Sequence, residues 1–239
     1  TPQGFFSYYP YIMPQDQADH IYCIKGGPGV GKSTFMKNIG RAVGEKGYAV
    51  EYMHCSSDPG SLDGLVIPAL RIALIDGTAP HVVDPKNPGA VDEIINLGEH
   101  WDLKGIKRHR DDIMRDNGDV GRLFSRVYRL LGAARRLGED IEAIHARYAK
   151  ETGVDGELER ILPLFGGRRV GECLGRERKL FASTITPDGL INYLDTLALG
   201  YQEVYLLRGA GRLPSLFLTR LAQEALRRGL DVEAFYCPM

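Results

Sequence analysis

The stretch "IKGGPGVGKSTFMKNIGRAVGEKG", Ile24–Gly47, decides how this chain is read. Gly26, Gly31, Lys32 and Ser33 stand at the spacing G-x-x-x-x-G-K-S. Glycines let a backbone curl until several N–H groups point at one anion. A helix starting there adds its unpaired N–H groups and positive dipole end. Just upstream, "HIYCI" (His20–Ile24) is an apolar run too short for a helix and bounded by glycine, which predicts a buried strand. Downstream, Phe35, Met36, Ile39 and Val43 recur at helical spacing, and Gly47 is a stop signal. Strand, loop and helix thus follow in the order that a phosphate-binding loop requires.

In such a loop Lys32 reaches the β- and γ-phosphates, and the Ser33 hydroxyl helps to hold Mg²⁺. The residues expected to line the phosphates are Gly26, Gly27, Pro28, Gly29, Val30, Gly31, Lys32, Ser33 and Thr34.

A second stretch repeats the layout. "VYLLRGAGRLPSLFLTRLA" (Val204–Ala222) parallels "IYCIKGGPGVGKSTFMKNIG" (Ile21–Gly40) once one loop residue is dropped. Tyr22 matches Tyr205, Lys25 matches Arg208, Gly26 matches Gly209 and Ser33 matches Ser215. The helix face Phe35, Met36, Ile39 and Val43 matches Phe217, Leu218, Leu221 and Ala225, and "VEYMHC" matches "VEAFYC". "TPQG" at Thr1 and "TPDG" at Thr186 open the two copies. An internal repeat changes the expected domain count. The expectation is a first unit over 1–185 and the start of a duplicated unit over 186–239. The second copy contains no counterpart of the sequence after Cys55, so the chain reads as part of a longer two-unit protein. Pro214 stands about where Lys32 should be, with neither its charge nor a backbone N–H. It also biases Leu213 away from the helical conformation. The second loop is therefore expected to be structural, with Arg208 and Arg212 able to hold an anion weakly.

Between the copies, "RIALIDG" reads as an apolar strand ending in Asp76. A carboxylate at the end of a strand beside the loop's own strand can hold Mg²⁺ through water. Asp58, just past the strand "VEYMHC", competes for that role. Asp76 is preferred on the expectation that the third strand neighbours the first, at the carboxyl edge where open α/β sheets bind ligands. The loop after it offers Thr78, His81 and Asp84 at the same edge. His81 is a candidate catalytic residue, to touch a γ-phosphate, position water or bind an acceptor, unless it only donates a structural hydrogen bond. "CSSDPGSLDG" reads as a second polar loop at the same edge, whose Asp58 and Asp63 either hold a substrate or cap turns, with turn capping preferred for Asp63.

From about Leu103 to Thr152 the pattern turns helical. Leu123, Val127, Leu130, Leu131, Ala134, Leu137, Ile141 and Ile144 form one stripe, with Arg122, Arg126, Arg129, Arg135 and Arg136 on other faces. One helix, or a broken helical hairpin, inserted like a lid is expected. Its arginines either solvate the surface or reach in to neutralise phosphate.

Composition sets bounds. Of 239 residues 44% are hydrophobic, and 30 Lys and Arg nearly balance 31 Asp and Glu. That suits a globular core and gives no basic footprint for nucleic acid. No apolar run approaches the ~20 residues of a membrane span, and no secretory signal is present. Cys23, Cys55, Cys173 and Cys237 show no C-x-x-C spacing; three of them fall on expected strands as buried thiols do, which fits a cytoplasmic protein.

"GGPGVGKSTF", "HCSSDP", "DGTAPHVVDP" and "PGAVDEIINLG" together resemble a P-loop NTPase of the nucleotide-kinase-like branch. More narrowly, they resemble an uncharacterised bacterial family of tandem-P-loop ATP-binding proteins. The match covers roughly the first hundred residues. The resemblance implies a three-layer αβα fold with a mostly parallel sheet, ATP and Mg²⁺ as cofactors, and no agreed substrate. Gly27 stands where partitioning ATPases carry an additional lysine, so that branch is rejected. No N-K-x-D motif occurs, which favours ATP over GTP. Two function classes follow: an ATPase or kinase-like phosphotransferase with a small-molecule or nucleotide acceptor, and a nucleotide-dependent switch or sensor acting on a protein partner, self-association included.

Overall fold

A computed structural model describes residues 1–148, 152–165, 174–209 and 211–237. The elements in chain order are β1 (His20–Lys25), α1 (Lys32–Gly44), β2 (Glu51–His54), β3 (Leu62–Ile67), β4 (Ile72–Asp76), β5 (Asp92–Asn96), α2 (Leu103–Arg108), α3 (Arg110–Ala146), α4 (Thr152–Ile161), β6 (Glu177–Phe181), β7 (Ser183–Thr186), β8 (Gly189–Asn192), α5 (Leu194–Leu197), α6 (Leu213–Arg227) and β9 (Val232–Tyr236). Helix and strand are mixed around a mostly parallel central sheet.

The chain divides into two compact units. One comprises Ser7–Arg122 and Thr184–Asn192, the other Thr1–Phe6, Leu123–Ser183 and Tyr193–Met239. These differ from the expected segments 1–185 and 186–239, because compactness follows packing and the repeat follows sequence. Thr184–Asn192, which includes the opening of the expected second copy at Thr186, belongs to the unit that holds the first loop, and just before that opening the Thr184 hydroxyl donates to Ser56 O at 3.2 Å.

In the first unit the five strands lie in the order β2-β3-β4-β1-β5. β1 pairs parallel with β4 and with β5, whereas β3 is antiparallel to both β4 and β2. β3 alone therefore runs against the other four. The third strand foreseen in the sequence (β4) does neighbour the first. The antiparallel β3 was not foreseen. Its residues Leu62, Asp63 and Gly64 looked like loop, yet every position of this strand is buried.

Alternation decides what each strand contributes. Ile24 of β1, Leu74 of β4, and Leu62 and Leu65 of β3 form the core with Met36 of α1. Phe35 and Ile39 of the same helix, with Val50, pack against it. Burying Met36 completely contributes about 2 kcal/mol. At the start of β5, buried Asp92 accepts from Gln15 Nε2 and from the amides of Lys86 and Asn87 at 2.6–2.8 Å. Burial alone would raise its carboxyl, but these bonds hold it below the usual range.

In the second unit β6 and β9 form a two-stranded parallel sheet beside which α6 packs, and α4 packs on α6. Arg178 pairs across the strands with Glu233 at 2.8 Å. The expected strand "VYLLR" is absent as a strand: Val204–Arg208 takes no regular structure, and Leu206 is 95% exposed. Leu213 is the first residue of α6 despite the proline after it. In the first turn of a helix a proline loses no hydrogen bond.

The expected helical region is α2 followed by the 37-residue α3, and residues 149–151 at its end lie outside the described residues. α3 is one unbroken helix, and no hairpin forms within it. Arg122 pairs with Asp119 and Arg135 with Glu139 on the helix itself. Only Cys23 of the described cysteines is buried; Cys55 and Cys237 lie just past their strands, Cys237 exposed, and Cys173 is outside the described residues. Among the described residues no helix is long and apolar enough to cross a membrane.

Candidate functional site

The loop Gly26–Gly31 joins the end of β1 to α1. Gly26 has φ 151° and Gly31, the N-cap of α1, has φ 96°; both lie in the region that side chains avoid. A Cβ on Gly26 would also come within 2.7 Å of Val30 Cγ1. Pro28, Gly29 and Val30 form the turn between them, with Val30 N donating to Gly27 O at 3.4 Å. Lys32, Ser33 and Thr34 occupy the first turn of α1, whose N-terminus carries no side-chain cap. Its N–H groups and dipole end are the anion-attracting feature of the loop.

Lys32 Nζ folds back over the loop, donating to Gly26 O at 2.7 Å and Gly27 O at 3.1 Å. It also lies 3.5 Å from Asp76 Oδ2, with both side chains largely shielded from solvent. Asp76 closes β4, and its Oδ1 accepts from Thr78 N at 2.9 Å. Thr78 Oγ1 in turn donates to Gly26 O at 2.8 Å. One loop carbonyl thus joins the lysine to the segment that follows Asp76. Lys25 anchors that segment further on, donating to Gly77 O, Val83 O and Asp84 Oδ1 at 2.7–2.9 Å.

Ser33 Oγ accepts from Leu62 N at 3.0 Å, linking α1 to β3. The other metal candidate, Asp58, is spent differently. Its carboxylate accepts from Ser61 Oγ at 2.6 Å and Gly60 N at 3.0 Å, which holds it below the usual range. Turn capping, expected of Asp63, is what Asp58 does. Asp63 instead sits on β3 as the partner of His81, Nε2 to Oδ2 at 3.3 Å.

His81 lies inside a small buried cluster. Tyr9 stacks on its ring, centroids 4.7 Å apart and 13° between planes. Burial alone would pull the imidazole down. Hydrogen bonds to Asp63 and Cys55, and their charges, outweigh burial and raise it to about 9. The Tyr9 phenol is pushed well up by burial first and then by the charges of Asp63 and Asp76. The Asp63 carboxylate facing His81 thus favours the charged form of its ring.

Two features had no sequence signal strong enough to find them: Tyr9, which is far from every motif, and Trp101. The indole of Trp101, the one tryptophan of the sequence, lies against the loop, and a Cβ on Gly27 would meet its Cζ2 at 2.8 Å. Asp63 could have been found from the apolar run "LVI" after it, which marks the strand.

Hard oxygen donors suit Mg²⁺, which takes few protein ligands when phosphate supplies others. The Ser33 hydroxyl and the Asp76 carboxylate are donors of that kind, on α1 and at the end of the strand next to β1. Among the described residues no group of three His, Cys, Asp or Glu side chains is arranged to hold a metal by itself. No family model, curated protein or solved structure matches this chain.

Proposed function

We propose that the Gly26–Thr34 loop binds the phosphates of ATP with Mg²⁺, and that ATP is hydrolysed there or gives up its γ-phosphoryl group to a small-molecule or nucleotide acceptor. One observation carries this reading: Lys32 is folded over a glycine loop at an uncapped helix N-terminus, 3.5 Å from a carboxylate on the adjacent parallel strand. The adjacency of β4 and β1 also supports the P-loop fold with its three-layer arrangement.

In this reading the Lys32 ammonium exchanges the carbonyls of Gly26 and Gly27 for phosphate oxygens, a charge-assisted contact. The amides of the loop and of the first turn of α1 hold the β-phosphate. Ser33 Oγ and Asp76 would hold Mg²⁺, which offsets the charge on the transferring phosphoryl group. His81 acts on the 77–84 segment as a positioning residue, since its ring is engaged with Asp63 and Tyr9.

A switch reading draws support from the Gly26 carbonyl. When Lys32 leaves it for phosphate, the lysine's contact with Asp76 changes too, and Asp76 Oδ1 holds Thr78 N, so nucleotide state reaches the start of the 77–84 segment. Titration of Trp101 fluorescence with MgATP, alongside phosphate release with and without nucleoside and nucleotide acceptors, tests both readings. Saturable quenching or enhancement by ATP is expected, with turnover stimulated by an acceptor for a kinase and independent of acceptors for a switch. No response to ATP by fluorescence or calorimetry would remove the nucleotide site.

A further inference from the structure

Helix α3 buries none of its residues, although one face is apolar along much of its length. Val120, Leu123, Val127, Leu130, Leu137, Ile141 and Ile144 are each between 46% and 67% exposed. With Ala134 they alternate three and four residues apart over roughly three and a half heptads, the seam of a coiled coil. Val120, Val127, Ala134 and Ile141 fall at a; Leu123, Leu130, Leu137 and Ile144 fall at d. Apolar residues recurring about every 3.5 positions form the seam that a partner helix covers in a coiled coil.

We infer that this face is the interface between two copies of the chain, joined as an antiparallel two-stranded coiled coil through α3. Charge decides both the occupant and the direction. The register that packs Val127 on Leu137 of the second copy also packs Val120 on Ile144 and Leu130 on Ala134. In it the flanking g positions on α3 meet one another: Arg126 faces Asp140 on each side of the two-fold axis, and Ala133 meets its own copy at that axis. The two charged g positions nearest the axis then each have an opposite charge beside them, while Asp119 is paired with Arg122 on its own helix. A parallel pair would set Arg126 beside Leu131 and Asp119 beside Phe124, leaving only Asp140 near a histidine, His145. Neither Arg126 nor Asp140 makes an ion pair with another described residue of its own chain. A surface that complements itself under a two-fold is what an isologous dimer requires.

The test is the mass of the whole chain in solution, by sedimentation equilibrium, with circular dichroism to confirm folding. A dimer is expected, and the Leu130→Glu, Leu137→Glu double variant should be a folded monomer. Arg126→Asp should weaken the dimer about 10-fold, and adding Asp140→Arg should restore it. Direction is read from cysteine variants: Ala133→Cys, on the axis, should cross-link to itself beyond the background of the native cysteines, whereas Ile144→Cys should not. A monomeric wild-type chain, a dimer untouched by the double glutamate variant, or self-cross-linking of Ile144→Cys would each overturn the inference. The charge-swap pair keeps the test decisive if the glutamate variant does not fold.

Discussion

Helices α1 and α6 carry matching stretches of sequence, yet they bury different residues. Met36 of α1 is fully buried while its counterpart Leu218 is 54% exposed; in α6 it is Phe217 that sinks to 4%. The strands before them differ more. Cys23 and Ile24 are wholly buried in β1, whereas their counterparts Leu206 and Leu207 are 95% and 36% exposed in an irregular segment. The reason lies in pairing. β1 is hydrogen-bonded to β4 and β5 on its two sides, and within these 239 residues the second copy has no counterpart of either. A buried strand needs at least one partner strand to take its backbone hydrogen bonds. An apolar run alone does not make one.

The loops diverge as well. Gly31 caps α1 in a left-handed conformation ahead of Lys32, whereas Arg212 precedes Leu213 and Pro214 in a right-handed one. The largest test of that difference is Lys32→Ala. It should lose at least roughly 100-fold in ATP affinity, since charged hydrogen bonds contribute about 1.5–3 kcal/mol each. Calorimetry with a non-hydrolysable analogue should give one nucleotide per wild-type chain. Two sites, or one that survives Lys32→Ala, would mean that the second loop also binds.

Asp76→Asn comes next. Turnover should fall roughly 10–100-fold with ATP binding largely kept, the usual range for a group that orients a metal through water. Asp58→Asn, which loosens an exposed turn, should leave Mg²⁺-dependent turnover within about 2-fold. The opposite ranking would place the metal at Asp58.

Gly40 and Tyr52 sharpen the comparison structurally. A Cβ on Gly40 would meet the Tyr52 ring at 2.6–2.9 Å, and the second copy has Ala222 and Ala234 at these two positions. In the first copy the ring takes the space over Gly40. Gly40→Ala should therefore destabilise by about 1–3 kcal/mol in urea unfolding. Adding Tyr52→Ala should recover most of that loss, and a double variant no more stable than the single would break the correspondence.

The smallest effect concerns His81, for which the second copy has no equivalent. Its folded value, about 9, lies above the ordinary value of 6.5. Its pairing therefore stabilises the fold fully below pH 6.5, and that contribution is lost as pH rises through about 9. Melting temperature should fall over this interval; linkage sets a ceiling of about 3 kcal/mol, which solvent screening of the partly exposed ring reduces to about 1–2 kcal/mol. His81→Gln should flatten the profile there, and an unchanged slope would show the Asp63 pair to be inert.

The sequence by itself determined the local units. The glycine spacing, the apolar run of β1 and the helical period of α1 fixed a strand, a turn and a helix through backbone conformation and periodicity, which act within a few residues. The same locality made Asp76 readable as a strand end and α3 as a helix. The tertiary structure decided what local signals leave open. Asp63 and Gly64 resemble a turn until His81 takes the carboxylate and Met53 and Ile75 flank the glycine as strand partners. Asp58 caps the turn expected of Asp63, and Asp63 pairs with His81, because a carboxylate's task is set by the donors that folding brings to it. Trp101 and Tyr9 joined the loop and His81 across long stretches of chain with no local pattern to announce them. Val204–Arg208 kept the pattern of a strand and did not become one, because strand formation is completed by partners distant in sequence.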